Sequence, residues 1–302
     1  MTNIPPLSQQ VILITGASGG IGAALAETLA QQFSGIRLVL AARSQDKLDQ
    51  VATQCRKAGA DVLVIPTDMA NPEQVKALAT KTVEHFGQVD ALINNAGYGQ
   101  MGAVELVSPE AAKQQFAVNF HGPLILTQAL IPVMRDRRRG RIINISTLAG
   151  KVAFPIGGIY SASKFALEAL SDSLRMELKA FNIQVSVIEP GPVSTNFFQV
   201  ANDTIEPTIA KLTNNPYRAA FENIDDIEQQ MEMLGWTAQK VVQVILRSLT
   251  DTNPRPRYVA ATGGSIVLFL MKILPTSVTD ALWKRFYGIH LVEKEWKTKT
   301  QD

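Results

Sequence analysis

The chain has 302 residues, 29 Lys and Arg against 27 Asp and Glu, and 46% hydrophobic residues; this is enough apolar material for the core of one large α/β domain. A net charge of +2 gives no electrostatic footprint for nucleic acid, and Cys55, the only cysteine, excludes an intrachain disulfide. The opening MTNIPPLSQQ carries no basic n-region and no apolar h-region, which reads against a signal peptide and for a cytoplasmic protein. Val11–Ile14 is an uninterrupted apolar run, as expected of a strand buried on both faces. Further strands are expected at about 36–41, 61–65, 90–94, 141–146, 184–189 and 257–260, and helices at about 20–32, 45–58, 72–86, 108–137, 159–181 and 237–250. Such alternation predicts an α/β fold: a doubly wound parallel sheet of about seven strands, helices on both faces and right-handed crossovers. No linker divides residues 1–302, so a single domain is expected. The basic cluster RDRRRGR at 135–141 reads as a solvated helix end.

Ligands of such sheets bind beyond the carboxyl ends of the strands, and the chemically suggestive motifs fall there. TGASGGIG at 15–22 joins the first strand to a helix rich in good helix formers. A strand–glycine turn–helix unit offers free backbone N–H groups and the positive helix end to a pyrophosphate. Gly16 allows the tight turn, Gly20 lets backbone approach phosphate, and Gly22 permits close packing of helix and strand. The spacing is G-x-x-x-G-x-G rather than G-x-G-x-x-G.

YSASK places Tyr160 and Lys164 four residues apart, on one face of a helix. A Lys ammonium beside a phenol stabilises the phenolate and lowers its pKa from about 10. That would make Tyr160 a proton donor and acceptor near neutral pH. Upstream, the hydroxyl pair Ser146-Thr147 ends a strand. Asn119 falls inside a long helical stretch, where Asn has poor propensity.

Taken together, TGASGGIG, Asp68, NNAG at 94–97, Asn119, Ser146-Thr147, YSASK and PGPVST at 190–195 resemble the short-chain dehydrogenase/reductase family over roughly residues 8–200. STLAGKVAFP and YSASKFALEALSDSLRMEL are most similar to its hydroxysteroid and retinol dehydrogenase branch. The resemblance implies a Rossmann-type fold, a nicotinamide cofactor and hydride transfer to or from a carbonyl carbon. It assigns Asn119, Thr147, Tyr160 and Lys164 to catalysis. Thr147 stands thirteen residues before the tyrosine, at the family's hydroxyl position; Ser146 is the alternative. Tyr160 gives the proton, Lys164 also binds the ribose hydroxyls, and the Asn119 carbonyl holds a water that links Lys164 to solvent. The resemblance also gives cofactor-binding roles to Gly16, Ser18, Gly20, Ile21 and Gly22, to Asp68 and Met69 near the adenine, and to Asn95, Ala96 and Gly97 at the ribose. Pro190, Gly191, Val193 and Thr195 would line the nicotinamide, while Asn94 ties neighbouring strands. Family members specific for NAD carry an acidic residue after the second strand; here Ala42 and Arg43 stand there. An Arg fork pairs with a 2′-phosphate and Ser44 adds a donor, so NADP is expected. Asp68 could instead cap the following helix. No metal is required.

Residues 196–235 are expected to cover the substrate, and 264–290 form a C-terminal helical extension. SIVLFLMKIL within it is far shorter than the roughly 20 residues that span a bilayer; it reads as a lid or packing helix, or as a membrane-surface or partner-facing segment over 264–288. The expected protein is an NADPH-dependent oxidoreductase for a bulky apolar carbonyl or alcohol of steroid, retinoid or apocarotenoid type, forming a homodimer or homotetramer. A 3-oxoacyl-thioester reductase and a non-catalytic dinucleotide-sensing protein are the alternatives.

Overall fold

A computed structural model gives the fold and describes residues 5–209, 215–222 and 224–299; five residues of the 196–235 stretch at 210–214, and residue 223, lie outside the described residues. Val11–Thr15 forms β1, Arg37–Ala42 β2, Asp61–Pro66 β3, Ala91–Asn94 β4, Gly140–Ile145 β5 and Ile183–Pro190 β6. Two short strands, β7 (Val193–Ser194) and β8 (Trp236–Thr237), pair with each other in parallel, and β9 (Arg257–Ala260) completes the main sheet. That sheet runs β3-β2-β1-β4-β5-β6-β9 with every pairing parallel. The order reverses between β1 and β4, which opens a crevice at their carboxyl ends.

The helices are α1 (Gly20–Gln32), α2 (Gln45–Lys57), α3 (Pro72–Phe86), α4 (Pro109–Phe116), α5 (Gly122–Asp136) and α6 (Gly158–Leu178). They continue with α7 (Phe197–Ile209), α8 (Arg218–Phe221), α9 (Ile224–Leu234), α10 (Ala238–Thr250), α11 (Gly264–Ile273), α12 (Thr276–Phe286) and α13 (Ile289–Lys299). Local chemistry sets several starts. The Ser44, Asn71 and Thr237 side chains accept from backbone N–H groups of α2, α3 and α10, and Pro72 occupies the first turn of α3.

One apolar layer packs α1, α2 and α10 on the sheet through Leu25, Leu29, Leu48, Val241 and Ile245. The other packs α3, α5 and α6 through Leu78, Leu126, Leu130 and Leu174. Between them every residue of β1 is buried, and each such Ile or Leu contributes roughly 1.5–3 kcal/mol relative to exposure. The stretch Pro109–Asp136 is long and apolar enough to cross a membrane, yet its Leu126, Leu130 and Met134 belong to this core. A π-helical turn at Ala117–His121 interrupts it.

The basic cluster departs from the solvated helix end expected of it. Arg141 is buried and donates to the carbonyls of Ser248 and Asp251, both at 2.6 Å, where it closes the C-terminus of α10. Arg137 and Arg139 lie 3.9 and 3.5 Å from the buried carboxylate of Asp90. The partners are far away in sequence, so a local reading of the cluster could not see them.

Candidate active site

The glycine turn is built as its sequence suggests. Gly16 and Gly20 have φ of +67° and +54°, the left-handed region that favours glycine. A Cβ at Gly16 would lie 2.8 Å from Asn95 Nδ2, and one at Gly22 would collide with the Gly16 carbonyl and Asn95. The tightness therefore joins the β1 turn to the β4 turn. Asn95 completes the joint: its Nδ2 donates to the Thr15 carbonyl at 2.9 Å, and the N–H groups of Asn95 and Ala96 donate to Thr15 Oγ1 at 3.0 Å. α1 begins with no side-chain cap and no acidic residue in its first turn, so, among the described residues, its N-cap supplies no side-chain acceptor to its leading N–H groups. Ser18 lies at the turn, half-buried, while the Ile21 side chain packs on the core and leaves only its backbone to the turn. Across the crevice, Thr195 Cγ2 stands 3.4 Å from where a Gly20 Cβ would be, so PGPVST faces the glycine turn.

At the end of β2, Arg43 is exposed and lies within electrostatic range of the Tyr98 phenol. The Ser44 oxygen accepts from Lys47 N–H as the cap of α2, which leaves its hydroxyl proton available. Asp68 does not cap α3; its Oδ1 accepts from Ala70 N–H at 2.9 Å, and Asn71 is the cap. Met69 is buried against Gly122 at the start of α5. Asn94 ties strands as expected, donating to Asn144 Oδ1 at 2.8 Å and Thr127 Oγ1 at 3.2 Å.

The four expected catalytic side chains meet at the carboxyl ends of β4, β5 and β6. Asn119 is fully buried in the π turn and held by the Tyr98 backbone on both sides: Nδ2 donates to its carbonyl at 3.0 Å and Oδ1 accepts from its N–H at 3.2 Å. Gly97 sits between two of the four, since a Cβ there would lie 3.1 Å from Asn119 Oδ1 and 3.5 Å from Lys164 Nζ. Lys164 Nζ donates to the Ile145 carbonyl at 2.9 Å. Burial lowers its pKa to about 8, against the opposing pull of Glu168. The Thr147 hydroxyl lies near enough to Tyr160 to ease ionisation of the phenol, and its Oγ1 donates to the Pro190 carbonyl at 3.1 Å. Ser146 Oγ is buried without a hydrogen-bond partner among the described residues and lies towards Gly150, on the side of Glu168. The expected lowering of the Tyr160 pKa is not found. Burial pushes the phenol well above its ordinary value and the nearby Thr147 hydroxyl offsets this only in part, because a dry site disfavours the phenolate.

Pro190 ends β6, and Gly191 packs so closely on Ala261 that a Cβ would lie 2.8 Å from it. Val193 is buried in β7, with its backbone paired to β8. Three features had no local signal. Thr15 supplies the hydroxyl beneath the Asn95 turn. Ser163 receives Asn119 Nδ2 at 3.2 Å. The ring of Phe197, at the start of α7, lies 5.5 Å from the Tyr160 ring. Met101, Ala103, Ile156, Phe221 and Val292 form an apolar cluster that joins the loops on this side to α8 and α13.

The short chain dehydrogenase family model matches residues 10–206. The chain is 33% identical over 288 residues to the 3-ketodihydrosphingosine reductase of Bacteroides thetaiotaomicron, covering 94% of this chain and 100% of that one. It is 30% identical to the ketoacyl reductase HetN of Nostoc, covering 98% and 96%. Among solved structures, a short-chain dehydrogenase/reductase from Burkholderia phymatum in complex with NAD superposes with a TM-score of 0.77 at 27% identity, over 88% of this chain and 94% of that one. A metagenomic short-chain oxidoreductase in complex with NADP gives 0.67 at 30% identity, over 84% and 97%. This chain belongs to the short-chain dehydrogenase/reductase family of nicotinamide-dependent oxidoreductases, and within it resembles the hydroxysteroid and retinol dehydrogenase branch.

Proposed function

We propose that the protein is an NADPH-dependent reductase of a bulky, apolar ketone or aldehyde. The observation that carries this reading is the convergence of Thr147 and Tyr160 beside Lys164 and Asn119. A carbonyl oxygen placed against that pair would meet two O–H donors in a site that excludes water. The upward-shifted phenol is protonated at neutral pH, which is the form a reduction needs. Thr147 would hold the oxygen and Tyr160 would donate the proton. Lys164 would resupply it, with the Asn119 carbonyl, which also faces Gly97, holding a water that links Lys164 to solvent.

The crevice suits a dinucleotide. The uncapped α1 terminus and the glycine cradle would take the pyrophosphate, and Gly97, Thr195 and Gly191 leave room along the way. The cofactor, when bound, supplies the hydride. Arg43 would recognise a 2′-phosphate with Ser44, and Ala42 offers no carboxylate to ribose hydroxyls. An apolar substrate is supported by Phe197 against Tyr160 and by the Met101–Ile156–Phe221 cluster. The relative named as a 3-ketodihydrosphingosine reductase acts on a long-chain ketone and is matched along its whole length, so long-chain ketones head the candidates, with steroid and retinoid carbonyls after them. A second reading, a 3-oxoacyl-thioester reductase, draws on the ketoacyl reductase HetN.

Turnover with NADPH and with NADH over a panel of long-chain ketones, steroid and retinoid carbonyls and 3-oxoacyl thioesters, for wild type and Arg43→Ala, tests the proposal. Wild type should prefer NADPH and an apolar ketone or aldehyde. Arg43→Ala should raise KM for NADPH about ten-fold or more and leave NADH nearly unchanged. Preference for NADH, or equal weakening of both, would refute the cofactor assignment. Turnover of thioesters alone would favour the second reading, and no turnover at all would leave a dinucleotide-sensing role.

A further inference from the structure

The ten residues of α11, GSIVLFLMKI, contain one charge. As a lid or packing helix, α11 would bury its apolar side chains, but only Leu268 and Met271 are half-buried and the other large ones are exposed. Ile266, Phe269 and Ile273 are 65, 62 and 57% exposed, and Val267 and Leu270 are exposed with them. At about 100° per residue these five span an arc of roughly 160°. The following helices continue the pattern, with Val278 and Leu282 exposed on α12 and Leu291 and Trp296 exposed on α13. Soluble proteins seldom leave so much apolar surface without an occupant.

Two properties identify that occupant. The first is charge. Residues 264–299 hold six Lys and Arg (Lys272, Lys284, Arg285, Lys294, Lys297 and Lys299) against Asp280, Glu293 and Glu295, a larger positive excess than the +2 of the whole chain. The covering surface is therefore apolar with an anionic border. The second is shape. A ten-residue helix is about 15 Å long, half the hydrocarbon thickness of a bilayer, so it can lie in an interface but cannot cross it. Packing against a second copy would cover one stripe of α11, whereas acyl chains can cover the whole arc.

The patch adjoins the substrate side of the site. Gly264, which opens α11, lies against Leu148, the neighbour of Thr147, with 3.5 Å from its Cβ position to Leu148 Cδ2. Phe154, between Thr147 and Tyr160, stacks on Tyr287 at the end of α12 with ring centroids 5.1 Å apart.

We propose that α11, with the exposed residues of α12 and α13, is an interfacial docking surface for an anionic phospholipid bilayer. The apolar arc seats among acyl chains, and Lys272, Arg285 and their neighbours meet lipid phosphates. The surface is independent of the activity assigned above, because docking needs neither cofactor nor substrate.

Flotation of the purified full chain with vesicles of phosphatidylcholine, with and without phosphatidylglycerol, tests it. Wild type should float with the anionic vesicles. Ile266→Glu/Phe269→Glu should abolish flotation, and Lys272→Glu/Arg285→Glu should weaken it about ten-fold or more. Both variants should keep the wild-type circular dichroism and thermal midpoint, since the replaced side chains are exposed. Met176→Glu, at an exposed apolar position on α6, should float like wild type. The proposal is overturned if wild type fails to float with either vesicle or if Ile266→Glu/Phe269→Glu floats undiminished. It is equally overturned if the patch proves to be a self-association surface: a wild-type dimer in sedimentation that this variant converts to monomer, with no vesicle binding.

Discussion

α10 and α11 lie on either side of β9 and draw on the same apolar residue types, yet one is built into the molecule and the other stands out from it. In α10, Val241, Val242, Ile245, Leu246 and Leu249 recur at helical spacing and all are buried, with Gln, Lys and Arg on the remaining faces. In α11 the apolar residues run around most of the helix and only Gly264 is buried. A stripe specifies which way a helix faces; an all-round apolar surface does not, and the packing of the neighbouring helices decides what covers it. The contrast separates stability, which resides in α10 and the sheet, from surface recognition, which the account places in α11.

Truncation of each helix gives the largest separation. Ile245→Ala should cost about 2–5 kcal/mol, as for a fully buried aliphatic. Phe269→Ala should stay within about 0.5 kcal/mol of wild type, as for an exposed side chain. Urea unfolding of the two variants checks this, and similar losses would mean that α11 is packed after all.

The hydroxyl pair at the end of β5 offers a comparable contrast inside the site. Thr147 faces Tyr160, whereas Ser146 turns towards Gly150. Thr147→Ala should lower kcat/KM by about 10²–10³, as when a transition-state hydrogen-bond donor is removed, and Ser146→Ala should do far less. Equal or reversed losses would contradict the assignment.

Behind the site, Glu168 and Glu189 are both buried, with Arg257 Nε 3.1 Å from the first and 3.4 Å from the second, and Lys151 3.0 Å from Glu168. Burial, and next the neighbouring Glu168, push Glu189 up from 4.5 to about 7. The folded state then binds a proton that the unfolded state has lost, so stability falls as pH rises through that window and is level above it. Glu189→Gln should flatten the slope and gain at most about 3 kcal/mol above the window. Thermal midpoints at several pH values measure it, and an unchanged slope would remove Glu189 as its source.

Much of this was legible in residue order. The apolar run Val11–Ile14 marked β1, Gly16 and Gly20 adopt the left-handed conformations a tight turn favours, and Tyr160 and Lys164 are buried together on one helix face. Asn119 was conspicuous as a poor helix former, and the π turn around it is the physical form of that misfit. What stayed hidden depends on partners distant in sequence. Arg141 finds the end of α10, Phe197 finds Tyr160, Lys164 gives its hydrogen bond to Ile145, and burial pushes the Tyr160 phenol up rather than down. The exposure of α11 was equally hidden, because composition reports apolarity and not what covers it.

The central claim is that Tyr160 delivers a proton to a bound carbonyl, and Tyr160→Phe tests it most directly. NADPH affinity, followed by fluorescence titration, should remain close to wild type while kcat for ketone reduction falls by roughly 10²–10⁴. A Phe variant that binds NADPH and turns over at a near-normal rate would contradict the account.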